Sequence, residues 1–148
     1  MKELPERKPN RLKDYDYSQN GVYFVTVCTF RREHLFGRIV GAGATEGSAD
    51  NPVGATVPGR PHVELTELGM CVDSTIAYYS TNNIIMFDKY VIMPNHIHLI
   101  IVNQPETGDR GRSPLQNTVR NLKSYVTKKT GFSPWQRSFY DHIIRNEQ

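Results

Sequence analysis

The sequence predicts an α+β fold with a four-stranded antiparallel sheet and two helices. Three observations carry that prediction. Four runs are rich in β-branched and aromatic residues. Two other stretches place apolar residues at helical spacing. The order along the chain is strand, helix, strand, strand, helix, strand. Four strands divided by two crossover helices make a ferredoxin-like sandwich (βαββαβ). The 148 residues suit a single domain, 1–148, with a core of its own.

"GVYFVTVCTF", Gly21 to Phe30, follows the turn signal Ser-Gln-Asn-Gly and reads as the first strand. Both of its faces look apolar, so it is expected to be central. "RREHLFG" leads out into a loop, and residues 41–61 are Gly, Ala, Pro and small polar residues. That stretch is expected to be a flexible insertion within the domain, because neither side of it could bury a core alone. Glu64 to Ser80 reads as a helix with Leu68, Val72, Ile76 and Tyr79 on one stripe and Thr66 as a possible N-cap. "IIMFDKYVIM" and "HIHLIIV" are two strands joined by a tight turn at Pro94-Asn95, since Pro cannot donate to a ladder and Asn tolerates turn geometry. Asn103 to Pro114 is an Arg-tipped loop. Leu115 to Thr130 is a second amphipathic helix, with Leu115, Val119, Leu122 and Val126 as its apolar stripe and Gly131 as its C-cap. Arg137 to Arg145 reads as the last strand.

No run of about 18 apolar residues suggests a membrane span, and the charged N-terminus has no apolar signal core. A cytoplasmic protein is expected. Cys28 and Cys71 lie far apart without metal-ligand spacing and read as reduced packing residues. The net charge of +3 is unevenly spread. Residues 1–37 carry seven Lys/Arg against five Asp/Glu, residues 105–148 eight against four, and the middle three against six. Basic ends suit a polyanionic partner and equally suit ordinary solvated faces. Arg31, Arg32, Arg110, Arg112, Arg120, Lys123, Lys128 and Lys129 are the candidates for a phosphate track. Tyr23, Phe24, Trp135 and Tyr140 are candidates for base stacking or for the core, with Trp135 the best placed to stack. His142 reads as structural, and His34 and His62 carry no assignment.

The informative stretch is "YVIMPNHIHLIIV", where His96 and His98 interrupt an apolar strand. Residues i and i+2 of a strand share a face, with Cβ atoms roughly 6.5–7 Å apart. Two imidazoles can converge on one metal ion from there, beside an opening made by the turn. A lone His-x-His is a weak signal, and spacing alone favours two half-buried histidines bonded to their neighbours. With two ligands and no helping Cys, a metal here would sit in an open, catalytic site. Tyr125 lies at the flank of the second helix's stripe, beside Asn121 and Lys129 at i−4 and i+4. It is either an amphipathic edge-of-core tyrosine or a nucleophile.

"YFVTVCTFRREHLFG", "MPNH", His96-Ile97-His98, "LKSYVTKK" and "WQRSFYDHIIR" together resemble the HUH single-tyrosine transposases, and most of all their REP-associated branch. The resemblance spans most of the chain outside residues 41–61. It implies metal-dependent cutting and rejoining of single-stranded DNA, with hairpin DNA as partner. Tyr125 would form a 5′-phosphotyrosine and release a 3′-OH. Mg²⁺ or Mn²⁺ held by His96 and His98 would stabilise charge on the phosphate. A phenol near pKa 10 is a weak nucleophile at neutral pH without such help. The covalent link conserves bond energy, and no Walker-type nucleotide loop occurs.

The pattern departs from the family at two places. Lys129 occupies the position where the family often has a third ligand, and a protonated Lys cannot ligate a cation. A further C-terminal helix is expected beyond "IIRNEQ". Two rivals follow: a domesticated or truncated module that binds nucleic acid without cutting it, and a metal-dependent hydrolase with a structural tyrosine. Exposed sheet edges make a homodimer plausible.

Overall fold

The computed structural model describes residues 14–15, 21–41, 60–82, 86–103 and 114–144. The elements are β1 (Gly21–Cys28), β2 (Gly37–Val40), β3 (His62–Leu65), α1 (Glu67–Thr81), β4 (Met86–Met93), β5 (His96–Asn103), α2 (Pro114–Thr130) and β6 (Tyr140–Ile144). The main sheet has the order β4-β5-β1-β6, and every neighbouring pair is antiparallel. This is the α+β arrangement that the order of elements predicts, with β1 in the interior of the sheet.

Alternation decides which side of the sheet is covered. Tyr23, Val25 and Val27 of β1 pair with Ile101, Leu99 and Ile97 of β5, and all six are buried. They pack against Val72, Ile76 and Tyr79 of α1 and Leu115, Val119, Leu122 and Val126 of α2. Each fully buried aliphatic side chain there contributes about 1.5–3 kcal/mol relative to exposure. The opposite face carries Phe24, Thr26, His96, His98, Tyr140 and His142, and the core helices do not cover it.

The helix predictions hold closely. The Thr66 hydroxyl accepts from the Gly69 N–H and caps α1, which leaves Glu64 and Leu65 outside the helix. Those two residues belong to β3, which pairs with β2 in a separate two-stranded ribbon (Gly37↔Leu65 to Val40↔His62) that the sequence reading missed. Gly131 follows α2 with φ +82 and its N–H bonds the Thr127 carbonyl, as a C-cap requires. β1 ends at Cys28 instead of Phe30, because the chain turns into a short 3-10 segment, Phe30–Arg32. β6 begins at Tyr140, three residues later than predicted. Most of the 41–61 insertion, the loop bearing Arg110 and Arg112, and Arg145 lie outside the described residues. Cys28 and Cys71 are free, the first buried and the second half-buried. Among the described residues no helix is long and apolar enough to cross a membrane.

Candidate functional site

The two-residue turn between β4 and β5 is pinned from three directions. The Pro94 carbonyl accepts from the Phe36 N–H, and the Asn95 carbonyl from the Thr29 N–H at 3.0 Å. The Thr29 hydroxyl lies within bonding distance of the Asn95 and Glu33 carbonyls. This lashing fixes the point at which β5 starts, and so the face on which His96 and His98 stand.

Both imidazoles are then oriented by their own partners. The Asn95 side-chain amide donates to the Arg32 carbonyl over a long 3.4 Å. Its Oδ1 therefore faces His96 Nδ1, 2.7 Å away, and can only accept. His96 must carry its proton on Nδ1, which leaves a lone pair on Nε2. On the neighbouring strand the Thr26 hydroxyl sits 2.9 Å from His98 Nδ1, and the Phe24 ring stacks on His98 at 5.0 Å and 28°. The two Nε2 atoms converge to 3.1 Å. Burial holds both histidines below the ordinary imidazole value, and for His96 the neighbouring His98 and Arg32 add to the effect. Both are therefore neutral at pH 7.

This donor set fits a metal ion. Two neutral nitrogens at that separation span adjacent positions on one ion with metal–nitrogen bonds of about 2.1 Å. Each far nitrogen is held by a hydrogen bond, as metal-ligating histidines usually require. Among the described residues no third His, Cys, Asp or Glu joins them. The remaining positions would fall to water or to a bound ligand.

A cleft of about 210 Å³ opens over the pair, lined by Thr26, Cys28, Arg32, Asn95, His96, His98 and Tyr140. Arg31 and Arg32 both have left-handed backbones, φ 53 and 55. Such residues cost about 1–3 kcal/mol each. The Arg32 N–H donates to the Thr29 carbonyl at 3.1 Å and the Asn95 amide donates to the Arg32 carbonyl, which holds Arg32 at the cleft.

The other predicted site residues scatter. Tyr125 does not join the histidines. It lies on the helix-covered side of the sheet, its ring stacked on Tyr78 (6.2 Å, 14°) and edge-on to Tyr79. A helical wheel locates the flank of the stripe but not the neighbour, which here is α1. Lys129, Lys128 and Arg120 are exposed on the same helix, away from the cleft. Lys123 is not a free phosphate contact: its Nζ donates to the Gln136 and Ser138 carbonyls at 3.0 and 2.6 Å. Burial pulls its pKa down to about 8. Arg31 lies over the Phe30 ring at 5.1 Å, and among the described candidate cations Arg32 alone lines the cleft. Trp135 is a core residue, only 7% exposed, with its indole N–H donating to the Lys123 carbonyl and its ring against Phe36. Tyr23 is also core, whereas Phe24 and Tyr140 reach the open face. His142 stands on that face beside Phe24, and His34 and His62 are exposed outside the cleft.

Sequence reasoning missed Thr26 and Asn95 as members of the site, and offered Tyr140 only as a residue for base stacking or for the core. The signal for Thr26 was its alternation: it is the hydroxyl on the outer side of a strand whose inner side is Tyr, Val, Val. Tyr140 shares a face with His142 by the same rule.

No protein-family model matches the chain. An uncharacterised protein of Haemophilus influenzae is 31% identical over 170 aligned residues, covering 98% of this chain and 82% of that protein. A solved REP-associated tyrosine transposase bound to a REP hairpin superposes with a TM-score of 0.56 at 19% identity, over 93% of this chain. The chain spans 64% of that transposase's length, less than two thirds. A candidate transposase from Deinococcus radiodurans superposes with a TM-score of 0.54 at 12% identity, over 92% of this chain and 86% of its own. The chain thus belongs to one family with the Haemophilus influenzae protein, and its fold is that of the tyrosine transposases.

Proposed function

We propose that this chain is an HUH single-tyrosine transposase that cuts and rejoins single-stranded DNA in the cleft over His96 and His98. The observation that carries the reading is the pair of Nε2 atoms 3.1 Å apart, each imidazole oriented through its Nδ1, beside an arginine and a tyrosine. The transposase that shares this fold was solved with a REP hairpin, so a hairpin-forming single strand is the substrate to try first.

His96 and His98 hold Mg²⁺ or Mn²⁺ in this reading. When bound, the ion supplies charge stabilisation at a scissile phosphate. Arg32 adds a fixed cation at the same cleft, and its guanidinium binds a non-bridging phosphate oxygen. The exposed Phe24 ring, already stacked on His98, offers a surface for a flanking base. A tyrosine hydroxyl forms the covalent link to the 5′-phosphate. Within one chain the sheet separates Tyr125 from this cleft, so Tyr125 could act here only from a second copy.

The test is a denaturing gel with labelled hairpin DNA and Mn²⁺ or Mg²⁺. The expected result is DNA that migrates with protein, lost with chelator and in His96→Ala. Hairpin binding without any adduct would replace this reading with a non-cutting binding module. Cutting with metal but no covalent link would replace it with a hydrolase.

A further inference from the structure

We infer that Phe30 and Arg31 form a seat for one base of the single strand outside the hairpin, next to the point where that strand enters the cleft; this rests on the function proposed above. The starting observation is a strained turn. Arg31 and Arg32 both hold left-handed backbones, φ 53 and 55, which non-glycine residues seldom adopt and which collect at ligand-binding positions. None of Phe30, Arg31 and Arg32 is buried, so their own packing does not hold the turn in this shape. Backbone bonds hold it instead. The Arg32 N–H donates to the Thr29 carbonyl at 3.1 Å and the Glu33 N–H to the Phe30 carbonyl at 3.2 Å. Thr29 is fully buried, and the Phe30 N–H donates to the Pro134 carbonyl at 2.8 Å. This tied backbone presents a large apolar ring to solvent: Phe30 is 52% exposed.

The surroundings of that ring suit a nucleotide. The Arg31 guanidinium lies 5.1 Å from the Phe30 ring centroid. A base laid on the exposed ring therefore has a cation at hand for its phosphate. Arg32, the next residue, lines the cleft with both histidines. The seat and the cleft are thus two residues apart along one tight turn, and neighbouring nucleotides of one strand can occupy both.

The segment bonded to this turn has the same character. Phe132, two residues before Pro134, is also 52% exposed. Residues 128–138 carry the exposed cations Lys128, Lys129 and Arg137 and no acid. Exposed rings among cations form a surface that accepts any single strand, since every base has a π-face and every phosphate a charge. The β2–β3 ribbon offers a contrast. Ile39 there is 58% exposed, but the neighbouring Arg38 is already paired with Glu64 at 2.6 Å.

The experiment is fluorescence anisotropy with the full chain and a labelled DNA hairpin, made blunt or extended by oligothymidine on its 5′ or its 3′ side. The native chain is expected to bind one extended hairpin more tightly than the blunt one. Phe30→Ala is expected to lose about 5–150-fold on that hairpin, the range for one base–aromatic stack, and to bind the blunt hairpin as the native chain does. Phe30→Trp keeps the gain, because an indole also stacks. Phe30→Leu loses it, because apolar bulk without a ring does not. Arg31→Gln lowers the slope of log affinity against log salt by about 0.7 on the extended hairpin. Ile39→Ala changes neither affinity. Native affinity for the extended hairpin in Phe30→Ala, an equal loss on blunt and extended hairpins, or Phe30→Trp binding as poorly as Phe30→Ala overturns this inference and leaves the proposed function standing. So does a native chain that binds all three hairpins equally. No binding of any hairpin overturns the proposed function, and the seat falls with it.

Discussion

Replacing Asn95 with Ala tests the logic of the histidine pair most directly. Asn95 makes one short bond to His96 Nδ1, 2.7 Å, and one long bond to the Arg32 carbonyl, 3.4 Å. Its φ is not in the left-handed region, so Ala can adopt the same backbone and the fold survives. Losing the bond costs the fold about 0.5–1.5 kcal/mol. The effect on a bound metal is larger. Without its acceptor, His96 can rotate or move its proton to Nε2, where a ligand's lone pair must be. Removing an orienting partner of this kind typically weakens metal affinity by about 10–100-fold, equivalent to about 1.4–2.7 kcal/mol at 1.36 kcal/mol per tenfold. The measurement is a Mn²⁺ titration followed by EPR or calorimetry, on native protein, Asn95→Ala, Asn95→Asp and His96→Ala. Asn95→Ala is expected to fall in that range. Asn95→Asp is expected to bind at least as well as native, because a carboxylate still accepts from Nδ1 and makes Nε2 more basic. His96→Ala is expected to lose binding. Native affinity in Asn95→Ala would refute the claim that the turn orients the ligand. Native affinity in His96→Ala would remove the histidine pair from the site altogether.

Thr26→Val, which keeps the shape and loses the hydroxyl beside His98, is expected to weaken Mn²⁺ binding in the same direction; an unchanged titration would mean the hydroxyl does not orient that ring. Lys123 makes a pH prediction. Its pKa is about 8 in the fold against an unfolded value near 10.4. Between those values the unfolded chain binds more protons, so native stability should rise with pH across that window relative to Lys123→Met, and urea midpoints that run parallel from pH 8 to about 10.5 would contradict it. Gly69→Ala sets two effects against each other. Helix propensity alone favours Ala by about 0.8–1.0 kcal/mol. A Cβ there would run into the Phe36 carbonyl, which also accepts the Thr66 N–H, and overpacking costs about 1–3 kcal/mol. A lower urea midpoint is expected, and a higher one would show that α1 can shift without cost.

The parts of the fold that were legible in the sequence share one property: their periodicity is set by burial. The four apolar residues of the α2 stripe are all in the core, and Thr66 announced the true start of α1. β2 and β3 were missed because each is four residues long and only Gly37 among their residues is buried. Glu64 and Leu65, the last two residues of β3, were therefore read as the start of the helix that follows. In the site, the histidine pair was legible because i and i+2 on a strand need no tertiary information. Its partners were not. Thr26 is 72 residues from His98 and meets it only through sheet register. The surroundings of Tyr125 were hidden for the same reason. Its place on a helix flank was readable, but the sequence does not say that Tyr78 and Tyr79 would close over that flank. Trp135 looked like a loop residue because a single indole in "SPWQR" gives no sign of the Lys123 carbonyl that takes its N–H.

The small ribbon of β2 and β3 has a consequence for how this protein can vary. Val40 and His62 are paired, so the ends of the intervening segment are clamped side by side whatever that segment contains. Loop closure then grows only as the logarithm of length, about 0.6 kcal/mol for each doubling. Sequence between the clamps can lengthen, shorten or be exchanged for a foreign domain at little cost, while the strand that carries the two histidines stays in register with β1.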